Sequence, residues 1–510
     1  MSDYFSAITP NTDLTVADFD GRGPGTSTDL ATGDLRRKYN FGQRVSELSI
    51  AQDPFFRFLS KVSKKNVDDP QFKWAEKRDS WHKRYAYPIA VSHDGATYAT
   101  DGQLDGDLAA KLESTGNDIW FLMATDYKNQ GNIQNVYNNT TDEIKIGGAD
   151  TMPKFFMPDQ LVKINLSSAT QGDATDYAIV KVTTVTDQTG SSSYNSVSTV
   201  DGVYLKCNVV KAANSTSSDY LAKVDDWHDA ESVTASTVHD TLEPARAYVV
   251  GSAHAEGTGY PETWKDQPYS TNIGLTQIWK TSMAMTNTAR ATVLKFEPNE
   301  WARVWKQKLV EHKWDIEQSL LFGSQGTVGD TQYTQGAVDY ITNYGNAFSL
   351  STATKTADDF LDDMSSYLDP RYNNSSATLY FVNTAVYNWM HKLGGYFKNN
   401  LEISSNFRAD FAMTGKKNIK GVSITTFTTP YGDMNVARNI HLDGTNVKML
   451  GINMKYATYR PLVGNGVDRD TSIYVGVQTL ENSGVDRRVD LILTEAGMEW
   501  SMPECHAIWT

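Results

Sequence analysis

Basic residues are the scarcer charge in this chain: 47 Lys and Arg stand against 61 Asp and Glu, a formal net charge of −14 over 510 residues. Gripping nucleic acid with the whole surface needs concentrated positive charge against the phosphates, so that class of function is excluded, whereas lying beside nucleic acid without gripping it is not. Cysteine is nearly absent. Cys207 and Cys505 are the only two and lie far apart, which leaves no disulfide framework and no C-x-x-C metal half-site and fits a reducing compartment. Long apolar runs are missing as well: no stretch of about eighteen uninterrupted apolar residues occurs. The start MSDYFSAITPNTDL has no basic segment followed by an apolar one, so neither a membrane span nor a secretion signal is expected. The signatures H-E-x-x-H, G-x-S-x-G and Walker A are not found.

The remaining candidates for chemistry are thin. His254-Ala-Glu256 has the H-x-E half of a zinc deaminase pattern without the P-C-x-x-C half. Asp94, Asp101, Asp105 and Asp107 offer oxygen ligands for calcium, but their spacing departs from the EF-hand and they read as solvated loop acids. The G-x-G pair in GRGPGTSTDLATG has no strand before it and no Lys-Ser or Lys-Thr opening a helix after it. Asp315 and Glu317 in one helix point about 200° apart, so they cannot share a metal with His312 and are expected to make ionic contacts instead. No catalytic residue, cofactor or metal site is expected.

What the chain does contain is geometry. With 40% hydrophobic residues it is long enough for at least one large core. The first forty or so residues, rich in Gly, Thr, Asp and Ser, read as extended, and Phe55, Phe56, Phe58 and Leu59 then form an apolar cluster suited to anchoring such an arm. Residues 150–250 alternate apolar and polar β-formers between Ser- and Gly-rich turns, the pattern of an inserted β-domain. From Phe296 to Gly323 runs the strongest helical pattern. Trp301, Trp305, Leu309, His312, Ile316 and Leu320 share a face, Pro298 suits the first turn, and Gly323 the end. Thr356 is placed to cap a second helix, a buried strand precedes a third closed by Gly394 and Gly395, and TTFTTPYGDMNVARNIHL predicts two strands around a tight turn. Trp500 and Trp509 mark an inward-packed end. The class is α+β with a β-rich insertion.

Several of these segments, in order, resemble the major capsid (major head) proteins of tailed bacteriophages with the Hong Kong 97-type fold. They are AQDPFFRFLSKVSKK with FKWAEKR, ARAYVVGSAHAEGTGYPETW, NIGLTQIWKTSMAMTNTAR, EHKWDIEQSLLFG, TTPYGDMNVARNIHL and RRVDLILTEAGMEWSMPECHAIWT. The resemblance implies an N-terminal arm at 1–59, an extended loop at 60–149, the inserted β-rich domain at 150–250, and a peripheral domain at 251–340 with a spine helix at 298–322. An axial domain at 341–440 and return strands to the peripheral domain at 441–510 would follow. The implied function is a structural, non-enzymatic protein that self-assembles into an icosahedral head around double-stranded DNA. The alternative is a β-rich virion binding or tail-associated protein. The implied partners are further copies as pentamers and hexamers, a scaffolding protein and a portal, with decoration proteins left open and DNA nearby without sequence-specific binding. The virion would be the location, and the bacterial host cytoplasm the place of assembly. No position matches an isopeptide crosslinking motif specifically enough to carry that bond over, and covalent crosslinks are left open. Subunit contacts are expected at Phe55, Phe56 and Arg57 of the arm anchor, Trp301 and Trp305 of the spine helix, and Pro430, Tyr431 and Gly432 of the turn.

Overall fold

A computed structural model describes residues 53–77, 84–99, 103–125, 152–167, 175–188, 201–214, 220–221, 245–261, 269–293, 300–368, 378–399, 412–419 and 422–510. The G-x-G stretch, Asp101, the first 52 residues of the expected arm and Pro298 lie outside them. The chain divides into two units, Met1–Ile50 with Thr288–Val304, and Ala51–Asn287 with Trp305–Thr510. In the first unit Arg303 pairs with Glu300 on the same helix, and the Arg290 guanidinium sits 5.8 Å from the Trp301 ring centre.

The second unit holds three large β-structures. In one, strands Tyr85–Ser92, Asp118–Ala124, Gly202–Lys211, Asp176–Gln188, Gln160–Ser167 and Ala247–Ser252 pair in a ring, every pairing antiparallel. The pairing of 160–167 with 176–188 closes the ring into a six-stranded barrel. Alternation explains it: Val162, Ile164, Ala178, Val180, Val182, Leu205, Cys207, Ile119 and Phe121 point into one shared core, and their neighbours in sequence point out. This corrects the expected boundaries. The β-domain starts at Tyr85 rather than at 150, so much of what was expected as extended loop is barrel wall. Pro88 and the nearly continuous apolar run YAYPIAVS hide the period of two, and the ladder shifts register at Pro88.

The barrel lies in sequence between Gln71–Glu76 and Ser270–Thr286, which pair with each other. Strand Ser270–Thr286 continues into a five-stranded sheet through Arg487–Trp500, whose far side takes Ser472–Gln478 near its start and Ala457–Pro461 near its end. A seven-stranded mixed sheet has the order 346–348, 507–509, 449–453, 378–382, 432–438, 422–429, 412–419. The residues after 441 therefore serve both sheets. Strands 457–461 and 487–500 return to the first, and 449–453 and 507–509 complete the second, against the expectation of one destination.

The long helix runs Glu300–Phe322 within the described residues, with Gly323 following as expected. Its second half is buried at His312, Ile316, Glu317, Leu320 and Leu321, whereas Trp301, Trp305 and Leu309 are half-buried. Thr356 caps the helix Ala357–Tyr367 in a capping box with Asp359. The helix from Thr384 runs through Gly394 and Gly395 to Asn399, correcting the expected stop; glycine costs a helix about 1 kcal/mol without forbidding it. The hairpin forms as read, with Thr429 paired to Gly432. Trp500 and Trp509 are fully buried, Trp500 stacking on Phe55 and Tyr340, and Trp509 on Phe348.

Candidate assembly surface

The expected arm anchor is the helix Pro54–Val62. Proline at its first position has no N–H to satisfy, which leaves the next amides, of Phe55 and Phe56, as orphan donors. Asp53 stands where a cap would, but its carboxylate takes Arg57 at 2.6 Å and makes no cap. The cap comes from far away in sequence. Glu317 of the long helix accepts from Phe55 N at 3.1 Å and Phe56 N at 2.5 Å, and its Oε1 also accepts from Asn439 Nδ2 at 2.9 Å. Burial pushes the Glu317 carboxyl up to about 7, against the three donors, which favour its charge. The ionic partner expected for Glu317 is thus replaced by backbone amides and an amide side chain.

Around this clamp, Phe55 meets the Phe381 ring edge-on at 5.3 Å, and Phe56 meets Tyr459 at 5.6 Å. Both phenylalanines are buried in the chain's own core, so the side chains expected at a subunit contact are covered from within. Their cluster on a short amphipathic helix is equally satisfied by an intramolecular groove, and sequence cannot tell the two apart. Arg57 is half-buried and turned back to Asp53. Trp301 and Trp305 keep part of their surface open. Pro430, Tyr431 and Gly432 lie exposed at the hairpin tip, Tyr431 by 53%. The turn is tied by Thr429 Oγ1 donating to Gly432 O at 2.7 Å, with Gly432 at φ 142°, a value that glycine tolerates and side chains resist.

The surface that sequence reasoning missed is the strand Ser472–Gln478. It pairs on one side only among the described residues, and Ile473, Tyr474, Val475 and Val477 are 41% to 66% exposed, with Leu480 and Val485 exposed beyond its end. By contrast, the outer edge of Ala457–Pro461 is covered by the segment at 63–67 through Lys65 N to Tyr459 O and Val67 N to Pro461 O. The open strand is also shaped. Tyr474 pairs with Leu491 and Gln478 with Val489, so Val475, Gly476 and Val477 bulge opposite Asp490. Buried Asp490 accepts from Gly476 N at 2.7 Å and from Arg488 Nε at 3.0 Å, and Gly476 at φ 71° supplies the left-handed turn. A free, apolar edge is an aggregation hazard on a solitary chain and an asset on one that pairs with neighbours. The signal in sequence was SIYVGVQ, a strand apolar on both faces with a glycine in its middle.

No described group of three or more His, Cys, Asp or Glu is arranged to hold a metal. Asp94 accepts from Ala96 N, Thr97 N and the Ser92 hydroxyl, which pull its carboxyl down to about 2, and Asp105 caps the helix Gly106–Leu112. Both acids are turn and cap elements. His312 bridges the Thr281 and Thr494 hydroxyls at 2.8 Å each. His506 accepts from Asn453 N at Nδ1, leaving Nε2 to donate to Ser501 O at 3.2 Å. Burial lowers each imidazole to about 4, so both are neutral struts between strands.

The chain is similar to several solved structures at low identity. They include Gordonia phage Cozz (9% identity over 51% of this chain and 77% of that one, TM-score 0.34), the capsid of Myoviridae phage XM1 (12%, 51% and 81%, 0.34) and a virus-like particle from Pyrococcus furiosus (12%, 48% and 82%, 0.29). Likeness this remote carries no residue-level correspondence. Comparison with curated proteins gave no match. The family described as SU10 major capsid protein, however, matches residues 25–510, which include both sheets, the barrel and the open edge strand. The chain belongs to the SU10 major capsid protein family and is a structural component of a viral capsid.

Proposed function

We propose that this chain is the repeating subunit of an icosahedral, Hong Kong 97-type head around double-stranded DNA, assembling through pentamers and hexamers. The observation that carries the reading, beside family membership, is the open apolar strand Ser472–Gln478 with its pinned bulge, a surface built to be covered by another copy. The strand pair 71–76 and 270–286 serves as the base of the extended loop, with the barrel inserted in it, and Glu300–Phe322 serves as the spine. The seven-stranded sheet forms the axial domain, with the Pro430–Gly432 turn at its rim. Trp301 and Trp305 offer their open surface to a neighbour. The net charge of −14 lets packaged DNA lie beside the wall without adhering. A separate scaffolding protein and a portal complete the assembly in the bacterial cytoplasm, and the role is non-enzymatic.

The test is negative-stain electron microscopy with light scattering on the full chain, alone and beside a scaffolding protein. Rings, sheets, tubes or closed shells are expected. A monodisperse monomer in both conditions would sink the reading.

A further inference from the structure

Among the described residues, one strip of the closed barrel's outer wall is chemically distinct. Register places its residues on the same side: Tyr85 pairs with Tyr248, Tyr248 with Lys163, Lys163 with Ile179, and Ile179 with Lys211, while Tyr177 and Arg246 lie two residues along from Ile179 and Tyr248. Cations and rings alternate along it. The Lys211 ammonium lies 3.9 Å from the Tyr177 ring centre, Lys163 lies 4.5 Å from Tyr177 and 5.5 Å from Tyr248, and the Arg246 guanidinium lies 4.3 Å from Tyr85. Tyr177 and Tyr248 are 38% and 41% exposed. Among the described residues neither Lys163 nor Lys211 has a carboxylate partner; Lys163 donates to the Tyr248 hydroxyl and Lys211 to the Tyr177 carbonyl. Asp159, on the same barrel, is engaged by Lys181 at 2.8 Å.

On a chain of net charge −14, such a strip is a local reversal of sign with its cations held in place by aromatic faces. Charge spacing selects the class of partner. Five strands about 4.8 Å apart give the strip a length of about 19 Å, over which it presents three cations. Duplex DNA carries one negative charge per about 1.7 Å, hence about 11 over that length, too many for three cations against the repulsion of the remaining acidic surface. A sparser polyanion, with one carboxylate per sugar ring and hydroxyls between, matches both the cations and the intervening phenol hydroxyls.

We propose that this wall of the barrel binds an acidic polysaccharide of the uronate type, its carboxylates on Lys163, Lys211 and Arg246 and its hydroxyls on the tyrosines. This function is additional to shell formation and is read on the unassembled full-length chain, so its failure and that of the shell reading are separable. The experiment is calorimetric titration of that chain with alginate, with neutral dextran and a DNA duplex as comparison ligands, at about 0.15 M and 0.5 M salt. Binding of alginate that weakens with salt and exceeds binding of either comparison ligand is expected. Lys163→Glu with Lys211→Glu should reduce it at least tenfold, and Tyr177→Ala with Tyr248→Ala several-fold, the folded state of each being checked by circular dichroism. A Lys163→Gln/Lys211→Gln variant gives the same reading if the glutamates impair folding. Absence of alginate binding, binding unchanged in these variants, or tighter binding of DNA than of alginate would each overturn the proposal. So would variants that alter shell assembly in a chain that ignores alginate, which would assign the wall to a second copy.

Discussion

Among the described residues each of the six barrel strands has a neighbour on both sides, whereas strand Ser472–Gln478 of the five-stranded sheet has one. The two regions distribute apolar surface accordingly. Barrel residues such as Phe121, Leu205 and Val180 are fully buried by the barrel itself, while Val475 and Val477 wait at an open edge. Closure removes the hazard of unpaired backbone, whereas the open edge leaves apolar surface that the proposed assembly would bury against another copy. An insertion can therefore carry its own function, and the sheet it interrupts can carry assembly.

The sharpest way to break this comparison is Val475→Asp with Val477→Asp. Two charges on the open edge should abolish shells in electron micrographs, at a cost of about 2–4 kcal/mol per contact if the strand is an interface hot spot. The chain's circular dichroism should stay unchanged, since neither side chain is buried. Shells in normal yield would show that the edge is not a contact. The complementary break is Phe121→Ala, a cavity in the barrel expected to cost about 3–5 kcal/mol of its stability. Limited proteolysis should then open the barrel early while shells still form, and loss of both together would mean that the two regions are not independent.

Sequence legibility divides along the same line. The long helix, the Thr356 cap, the hairpin and the buried Trp500 and Trp509 could all be read because each depends on local period, capping or turn chemistry. The barrel's true start could not. Tyr85–Ser92 belongs to it through pairing with Ala247 and Tyr248, a contact between segments far apart in sequence. Phe55 and Phe56 were legible as an anchor but not as one that grips its own chain, because the groove that receives them is made by Phe381, Tyr459 and Trp500. The Glu317 clamp had a faint signal, an acid next to Ile316 of the apolar helix face and a proline-led helix without a cap, but nothing local joins the two.

That clamp allows a smaller test, of pH. The Glu317 carboxyl is raised from 4.5 to about 7, so the folded chain holds a proton that the unfolded chain has lost. The resulting stability is complete below pH 4.5 and is lost as pH rises through 7, at up to about 1.4 kcal/mol per pH unit. His506, lowered from 6.5 to about 4, acts in the opposite sense: its contribution is present above 6.5 and is lost as pH falls through 4. From pH 6.5 to 7 the unfolded-state titration of His506, and of His312 lowered in the same way, still offsets the Glu317 dependence in global stability, so Glu317 is isolated by a local readout compared with a Glu317→Gln chain. Hydrogen exchange at the Phe55 and Phe56 amides should speed up across that interval more than base-catalysed exchange predicts. Glu317→Gln should remove the excess. Identical profiles in both proteins would mean that Glu317 does not titrate there.

The smallest effect is expected at the hairpin tip. Tyr431→Ala removes an exposed ring whose loss leaves the turn intact, because the turn is held by Thr429 and by the backbone of Gly432. Chain stability should change by less than about 0.5 kcal/mol in denaturant titration. Gly432→Ala is the control, since a Cβ at φ 142° strains the turn itself and should lower stability by about 1 kcal/mol or more. If the ring meets a neighbouring copy, Tyr431→Ala should weaken assembled shells while leaving the free chain's melting curve in place, and Gly432→Ala should affect both. A Tyr431→Ala chain whose shells melt with the wild type would restrict assembly to other surfaces, the open strand at 472–478 foremost among them.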